Sequence, residues 1–248
     1  MSVAVGASAS GPGFFLDRKK LRELALCARD RYRAADPYPH AVLDGFAGGD
    51  LARALAKQFP GPEHPGWMRR DYREQAARLG QLQRSGFEGV DGGVRHLLSE
   101  LCGMAFLDFL GQLTGIEGLI ADPHFRGAGL SITLPGGHLA LHADFNRDRT
   151  RHLERKVTVL YYLAEDWEPE WGGALELWDA ERTRCVASYP PLLDRLIVMA
   201  HGDAYWHGHP APLACPEGRH RASVSAYYYV AAASAEDEAS AHGAIWAE

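Results

Sequence analysis

A histidine and an aspartate stand two residues apart in the stretch GGHLALHADFN, which covers residues 136–146. The stretch has the character of a β-strand, and side chains two positions apart on a strand point to the same face. His142 and Asp144 can therefore bind the same ligand or ion. A second pair of this kind, His201 and Asp203, sits at a strand end where a glycine breaks the alternation, so Asp203 is better suited to shaping a turn.

Another histidine, His207, follows the strand-like run RLIVMA in the stretch DAYWHGHP. Two imidazoles and one carboxylate occupy one face of an octahedral ferrous ion and leave three positions open. Oxygen chemistry needs such positions for a co-substrate and for O2. The sequence therefore predicts an Fe(II) site made of His142, Asp144 and His207, with His209 as an alternative to His207.

Arg221 opens the strand-like stretch RASVSAYYY, a short distance after the distal histidine. Its guanidinium group can hold a carboxylate through two parallel hydrogen bonds. Ser223 and Ser225 alternate after it on the same face of the strand. A surface arginine at the start of a strand is the simpler interpretation, but its place so close to a candidate metal ligand favours a carboxylate pocket.

The elements that must position these residues fall into two halves. Apolar spacing predicts helices over 14–34, 51–59 and 94–113, and residues 61–92 are interpreted as a long surface excursion rich in Gly, Pro, Arg and Gln. After residue 120, strand-like runs alternate with Gly, Pro and Asp, which is typical of a β-sandwich or barrel. The expected fold class is mainly β with N-terminal helices, a jelly roll.

The domain organisation expected from composition is one folded unit with two tails. Residues 1–13 lack the charged segment and apolar core of a signal peptide and are predicted to be a disordered leader. Residues 14–235 form a single domain, divided into a helical layer at 14–119 and a β core at 120–235. Residues 236–248 are predicted to be an acidic tail.

Composition sets further limits on partners and location. The 248-residue chain carries a net charge of −6, and its 46% hydrophobic and 23% charged content is ordinary for a soluble globular domain. Nothing favours a nucleic-acid partner or an anionic membrane, and no apolar run approaches the roughly 20 residues of a spanning helix. Four cysteines without C-x-x-C spacing favour free thiols in the cytoplasm. We expect a monomer or a homodimer.

The stretch from about residue 113 to residue 229 resembles the 2-oxoglutarate- and iron(II)-dependent dioxygenases, in their prolyl-4-hydroxylase-like branch. The motifs that carry the resemblance are LHADFN, KVTVLYYLAEDW, WGGALELWD, WHGHPAPL and RASVSAYYY. The stretch YPHAVLDGF resembles the leading strand of bacterial members, so the likeness could extend to about residue 38. Because the family has His-Gly at the distal ligand, the resemblance selects His207 over His209.

The resemblance implies a double-stranded β-helix that holds ferrous iron between its sheets. It also implies 2-oxoglutarate on the metal, with its far carboxylate held by Arg221 and bonded by Tyr162, the second tyrosine of the YYL strand. Ser225 is predicted as a further co-substrate contact. The segment before Arg221 is longer than in the animal prolyl hydroxylases, so Arg219 remains a competing candidate.

The activity implied by the resemblance is oxidation with O2, in which 2-oxoglutarate gives succinate and CO2 while an unactivated C–H bond is hydroxylated. The substrate would be an amino acid, a peptidyl residue or a natural-product intermediate. Asp144 argues against a halogenase, since related halogenases carry Gly or Ala there. The alternatives are desaturation, ring formation or demethylation at the same site, and a non-catalytic β-helix or cupin-like binding module.

Two segments are expected at the mouth of the β core, where loops act as lids. One is the excursion at 61–92, and the other is the turn NRDRTRHLERK after the His-x-Asp pair. The predicted substrate-binding residues are Trp67, Arg69, Arg147 and Trp206, and the excursion also offers Arg70 and Tyr72. The turn carries four arginines that would favour a substrate with a carboxylate or phosphate: Arg147, Arg149, Arg151 and Arg155. The alternative for both segments is a solvated loop.

Overall fold

A computed structural model describes residues 13–80, 82, 86–232 and 240–247 of the chain. The predicted leader lies outside these residues except for Gly13, and so do residues 236–239 and 248 of the predicted tail. Residues 240–247 return to the β-sheet.

The N-terminal layer consists of four helices. They are α1 Arg18–Arg33, α2 Gly49–Gln58, α3 Gly92–Leu101 and α4 Met104–Thr114. Helix α1 begins after Asp17, whose side chain accepts a hydrogen bond from the backbone N–H of Lys20, and it packs against α4. The described helices include none that could span a membrane alone, although the bent pair α3 and α4 reaches that length and hydropathy together.

The single helix predicted at 94–113 is two helices that meet at an angle of 47°. Gly103 lies between them in an extended conformation, with φ −82° and ψ 162°. Glycine is a poor helix former because ordering its backbone costs more entropy than for other residues, so it is a natural break point. The apolar faces of both helices still point inward, which is why the spacing suggested one helix.

Thirteen strands in the described residues form a curled antiparallel sheet, which confirms the mainly β, jelly-roll fold. The first five strands are β1 His40–Asp44, β2 Met68–Tyr72, β3 Gln75–Gly80, β4 Ile120–Ala121 and β5 Gly129–Ala143. The later ones are β6 Arg147–Asp148, β7 Leu153–Tyr162, β8 Leu175–Trp178, β9 Cys185–Tyr189, β10 Arg195–Ala200, β11 His207–His209, β12 Arg221–Ala231 and β13 Ile245–Trp246.

The main path of hydrogen-bonded strands runs β1-β10-β7-β12-β5-β11-β8-β9. The long strand β5 bends across the sheet: its first part pairs with β12 and its second part with β11. The bend lies at Gly136, where φ is +74°, a backbone conformation that favours glycine. The two runs GAGLSITL and HLALHADF, which the pattern of the sequence separates, are thus parts of one strand that carries the His-x-Asp pair at its end.

The interpretation of residues 61–92 as a surface excursion is wrong in part, because this segment contains the β2–β3 hairpin. Strand β3 pairs with β5 from Gln75, opposite Leu139, to Leu79, opposite Ile132. Gln75 and Leu79 are buried, while the other residues of the hairpin are mostly exposed or half-buried. Because so few of its residues enter the core, the hairpin lacks the apolar alternation that identifies a strand.

The hydrophobic core lies between the helical layer and the sheet. Phe106 and Phe109 of α4 pack near Tyr228 of β12 and Tyr161 of β7, all of them almost fully buried. Burying a side chain of this size contributes about 1.5–3 kcal/mol. This packing fixes β7 and β12 from behind, so that their other face is free to line the site. The four cysteines are free, and Cys215 is buried whereas Cys27 is exposed.

Candidate metal and co-substrate site

The three predicted metal ligands meet at one place. His142 near the end of β5 lies directly opposite His207 at the start of β11, and Asp144 follows one residue after β5 ends. Their candidate ligand atoms all lie within 4.8 Å of one another, and no other such group of His, Cys, Asp or Glu occurs in the described residues. The Nε2 atoms of His142 and His207 lie 3.6 and 3.4 Å from the carboxylate oxygens of Asp144.

Both imidazole rings are held by backbone carbonyls. The Nδ1 atom of His142 lies 2.9 Å from the carbonyl oxygen of Ala140, and Nδ1 of His207 lies 3.1 Å from that of Tyr205. Since a carbonyl oxygen only accepts, Nδ1–H donates in each ring and Nε2 keeps its lone pair for a metal. Burial, together with the nearby His207, lowers the pKa of His142, which favours the neutral form that a metal requires.

Asp144 is backed by a buried arginine. Arg155 is 0% exposed, and its Nη2 donates to Oδ2 of Asp144 at 2.6 Å and to Oγ1 of Thr158 at 2.7 Å. Its guanidinium lies 3.3 Å from the ring centre of Tyr227. Burial alone would raise the pKa of Asp144, but the charge of Arg155 beside it holds this pKa well below its usual value.

This donor set fits a divalent transition metal. Two neutral imidazole nitrogens and one ionised carboxylate converge on one point, and each has a hydrogen-bond partner on its far side. A metal held on one face by three protein ligands keeps coordination positions free for small molecules.

The site opens into a cavity of about 260 Å³. Besides the candidate ligands, its lining comes from the inner faces of β12, β7 and β8, the β2–β3 hairpin, β5 with the loops that flank it, and the C-terminal segment. The polar and aromatic residues that these parts contribute include Arg70, Tyr72, Arg78, Ser131, Arg221, Ser223, Ser225, Tyr227 and Trp246. The cavity is therefore shared between the β core and two segments added to its edge.

Arg221 lies in the cavity wall and is tightly held. It is 4% exposed, its Nε donates to the carbonyl oxygen of Gly173 at 2.8 Å, and its Nη2 donates to the phenolic oxygen of Tyr162 at 2.9 Å. Burial raises the pKa of Tyr162 although Arg221 opposes this, so the phenol keeps its proton. A fixed guanidinium with a phenol beside it is suited to binding a carboxylate.

The two other candidates for contact with the co-substrate, Ser225 and Arg219, differ in whether they line the cavity. Ser225 lines the cavity and donates from Oγ to the carbonyl oxygen of Gly129 at 3.3 Å. Arg219 is exposed, with its guanidinium 5.9 Å from the ring centre of Trp171, and it does not line the cavity. Of the two competing arginines, the structure places Arg221 in the cavity.

Gly173 has a backbone conformation that holds Arg221 in place. Its φ is +71°, and a Cβ at this position would lie 2.6 Å from Cδ2 of Leu213 and 3.1 Å from Cδ of Arg221. We expect Gly173→Ala to lower the free energy of unfolding by about 1–3 kcal/mol and to weaken binding of a carboxylate ligand at Arg221. Gly172→Ala is the matched control, since Gly172 has a similar φ of +75° but open space around it.

Thermal unfolding and 2-oxoglutarate titration of both variants test this expectation. Gly172→Ala should lose stability but keep 2-oxoglutarate affinity, whereas Gly173→Ala should lose both. Equal 2-oxoglutarate affinity in the two variants would contradict the role given to Gly173.

The four predicted substrate-binding residues lie outside the cavity. Trp67 donates its indole N–H to the carbonyl oxygen of Gly61 and stacks on Phe59. Arg69 forms an exposed ion pair with Asp71. In both cases a nearby group of the chain uses the polar group. Trp67 precedes the hairpin and packs against the hydrophobic core, whereas Arg70 and Tyr72 of the hairpin line the cavity.

The remaining two candidates lie in other parts of the molecule. Arg147 is on β6 opposite Glu154. Trp206 is buried, donates its indole N–H to the carbonyl oxygen of Ala180, and lies under Arg182. Trp206 and the adjacent His207 point to opposite faces, as the alternation of a strand requires.

Three arginines of the cluster after the His-x-Asp pair contact other parts of the chain. Arg151 pairs with Asp122 and Asp148, and Arg149 donates to the carbonyl oxygen of Ala241. Arg155 is the buried partner of Asp144. Carboxylates of the chain therefore compensate the charges of Arg151 and Arg155, and Arg149 links the turn to the C-terminal segment.

Two other candidates for metal binding, His209 and the second His-x-Asp pair, are not part of the group of candidate ligands. His209 is buried two residues beyond the distal ligand, after a break in the register of β11, and it is not part of the ligand group. Asp203 of the second His-x-Asp pair contacts His242 at 3.0 Å, away from the candidate ligands.

Sequence reasoning missed Trp246, Arg78 and Tyr227. Trp246 on β13 lies opposite His142, with the two ring centres 5.0 Å apart. The only signal for it was an isolated Ile-Trp pair in an otherwise polar tail. Arg78 stood in a segment without apolar alternation, and Tyr227 was one of three consecutive tyrosines in the predicted arginine strand.

Comparisons with known proteins agree with this geometry. Residues 128–229 match the family model of the 2OG-Fe(II) oxygenase superfamily. A comparison with curated protein sequences gives no match.

The fold is similar to that of solved prolyl hydroxylases. A Trichoplax adhaerens prolyl hydroxylase in complex with a hypoxia-inducible factor peptide has a TM-score of 0.62 at 16% identity, over 85% of this chain and 91% of that one. A Pseudomonas putida prolyl-4-hydroxylase has 0.56 at 20% identity, over 84% and 99%. A Phytophthora capsici prolyl 4-hydroxylase has 0.55 at 15% identity, over 95% and 76%. Residues 128–229 are therefore similar to the 2OG-Fe(II) oxygenase superfamily, and the chain has the fold of solved prolyl hydroxylases.

Proposed function

We propose that this enzyme is a hydroxylase that uses Fe(II), 2-oxoglutarate and O2 to hydroxylate an unactivated C–H bond of an amino acid, a peptidyl residue or a natural-product intermediate. The observation that carries the proposal is one cavity with a His-Asp-His group and, in the same wall, the buried Arg221. When bound, the iron and 2-oxoglutarate supply the oxidising power, and 2-oxoglutarate leaves as succinate and CO2.

The protein side chains position these groups. His142, Asp144 and His207 would hold the metal, with the two Nε2 atoms and the carboxylate already directed at one point. Arg155 keeps Asp144 ionised and fixes its outer oxygen. This preorganisation reduces the rearrangement needed when metal binds.

At the other end, Arg221 would bind the far carboxylate of 2-oxoglutarate, and the phenol of Tyr162 would hold both groups in register. A dicarboxylate suits this cavity because one carboxylate can reach the metal while the other reaches a buried guanidinium. Burial of Arg221 excludes water from this contact, which strengthens a charge-assisted hydrogen bond.

The first experiment measures 2-oxoglutarate binding in Arg221→Ala. A charge-assisted pair at a buried site is worth about 1.5–3 kcal/mol, so the dissociation constant should rise roughly tenfold to a few hundredfold. Arg221→Lys should recover only part of the loss, because an ammonium group cannot form the two-pronged contact. The measurement is an anaerobic titration of 2-oxoglutarate into the Fe(II) protein, followed by the metal-to-ligand charge-transfer band.

Arg219→Ala is the matched control, since it removes the same charge two residues earlier from an exposed position. It should leave the dissociation constant unchanged. The opposite result, a large change in Arg219→Ala with none in Arg221→Ala, would move the co-substrate contact to Arg219. Wild-type protein that neither binds 2-oxoglutarate nor releases succinate with Fe(II) would reject the proposed function as a whole.

A further inference from the structure

A second arginine, Arg78, lies in the cavity in line with Arg221. Arg78 on β3 and Arg221 on β12 pair with the same residue of β5, Thr133, from its two sides. Residues directly opposite on neighbouring strands project from the same face, and strands are about 4.8 Å apart, so the two backbones lie roughly 10 Å from each other. Both side chains line the cavity.

Arg78 has no acidic partner among the described residues. Its Nη1 donates to the neutral amide oxygen of Gln75 at 2.9 Å. Its Nε is buried and has no hydrogen-bond partner among the described residues. Burial, followed by the charges of Arg221 and Arg70, lowers the pKa of Arg78 to about 10, so it remains a cation at neutral pH. A partly buried cation next to two other cations is unfavourable unless an anion binds beside it.

The cavity as a whole carries excess positive charge. Three arginines line it, Arg70, Arg78 and Arg221, whereas its one lining acid in the described chain is Asp144, which is already paired with Arg155. The two carboxylates of 2-oxoglutarate would be used by the metal and by Arg221. The charge of Arg78 would then still be uncompensated.

The position of Arg78 distinguishes it from the co-substrate end. It belongs to the β2–β3 hairpin, whose Tyr72 is exposed at the surface and also lines the cavity. Arg221, in contrast, is enclosed by Tyr162 and Gly173. Arg78 therefore faces the part of the cavity that an incoming substrate reaches first.

We propose that Arg78 binds a carboxylate of the primary substrate, so that the substrate is a small free acid such as an amino acid, and not an internal residue of a peptide. This inference rests on the proposed function. The size of the cavity, about 260 Å³, lies below the roughly 300–1,000 Å³ of drug-sized ligand sites. Strand β13, with Trp246 against His142, covers the cavity beside the metal position and leaves little room for an extended chain.

The test compares three variants with the wild type. Arg78→Gln removes the charge but keeps polar atoms, Arg69→Gln removes the same charge from an exposed position of the same hairpin, and Arg221→Ala marks the loss of co-substrate binding. Arg78→Gln should bind 2-oxoglutarate as the wild type does. Its melting temperature should not fall, because an unpaired charge is removed.

Substrate binding is then measured in anaerobic Fe(II) protein saturated with 2-oxoglutarate. The probes are the twenty common L-amino acids and their N-acetyl derivatives, each beside its N-methylamide, which lacks the negative charge. Binding is followed by the change in the charge-transfer band, and succinate release is measured in air.

We expect at least one free acid to bind the wild type and Arg69→Gln at least tenfold more tightly than its methylamide. In Arg78→Gln the acid should bind roughly ten- to a hundredfold more weakly, and the preference for acid over amide should disappear. Loss of this preference is a result that a merely structural role for Arg78 would not produce.

Three results would overturn the inference while leaving the proposed function intact. One is weakening of 2-oxoglutarate binding in Arg78→Gln to the level of Arg221→Ala, which would assign Arg78 to the co-substrate. The second is equal binding of acids and methylamides by the wild type. The third is that no acid binds wild-type protein that does bind 2-oxoglutarate, which would reject the class of small free acids.

Discussion

His207→Ala is expected to abolish iron-dependent turnover and to remove most of the bound Fe(II), while the protein stays folded. His207 contributes one of three converging ligand atoms, and only Asp144 and His142 would remain. Losing a mere hydrogen-bond partner of a metal ligand costs about 10- to 100-fold in affinity, so losing the ligand itself should cost more. Iron per chain after anaerobic desalting, succinate release and thermal unfolding measure the three parts of this expectation.

His209→Gln is the control for this experiment. His209 is on the same short strand and is also buried, but it lies outside the ligand group. Iron content is the decisive readout, because His209 lies near Arg221 and Arg78 and its replacement could change turnover for other reasons. Iron retained by His207→Ala and lost by His209→Gln would show that the distal ligand is assigned to the wrong histidine.

Arg155→Ala should destabilise the protein more than Gly173→Ala or any of the metal-ligand and co-substrate variants. It leaves the carboxylate of Asp144 buried without its cationic partner, and breaking such a pair typically costs about 3–5 kcal/mol. Iron affinity should also fall by about 10- to 100-fold, because Arg155 fixes the outer oxygen of a metal ligand. Urea unfolding of the metal-free protein measures the first effect, and Fe(II) titration measures the second.

Two further variants show whether the buried charge is the cause. Arg18→Ala removes an arginine from the exposed pair with Asp108 and should cost about 0–1 kcal/mol. The double variant Arg155→Ala, Asp144→Asn should be less destabilised than Arg155→Ala alone, since no unpaired charge remains. If Arg155→Ala costs no more than Arg18→Ala, the ion pair does not have the importance assigned to it.

The parts of the site that could be predicted from the sequence are those whose residues form a regular pattern with their neighbours along the chain. His142 and Asp144 follow from the two-residue period of a strand, and Arg221 and Ser225 from the same period on β12. The helical layer followed by short strands is likewise visible as a change of period near residue 120. These signals depend only on neighbours along the chain, so they remain readable without a structure.

The parts that could not be predicted depend on pairing between distant segments. Arg78 and Trp246 reach the cavity because β3 and β13 both add to β5, and neither strand has enough buried residues to show alternation. Arg155 was grouped with surface arginines because it stands among charged residues of a turn, yet it is fully buried. When several arginines lie close together in the sequence, the sequence alone does not indicate which of them forms a buried ion pair with a carboxylate.

The order of strands in the sheet has a consequence for how the protein is made. Strand β12 lies between β7 and β5, so it is the strand that joins the path β1-β10-β7 to the path β5-β11-β8-β9. While residues 221–231 are still inside the ribosome, the nascent chain can therefore form only two separate partial sheets. The three candidate ligands lie on the sheet that contains β5, and Arg155 lies on the sheet that contains β7. Because synthesis proceeds at about 5–20 residues per second, the two halves wait for several seconds with unpaired edges. Iron should therefore bind with full affinity only after translation, because Arg155 reaches Asp144 once β12 has left the exit tunnel and joined the two partial sheets.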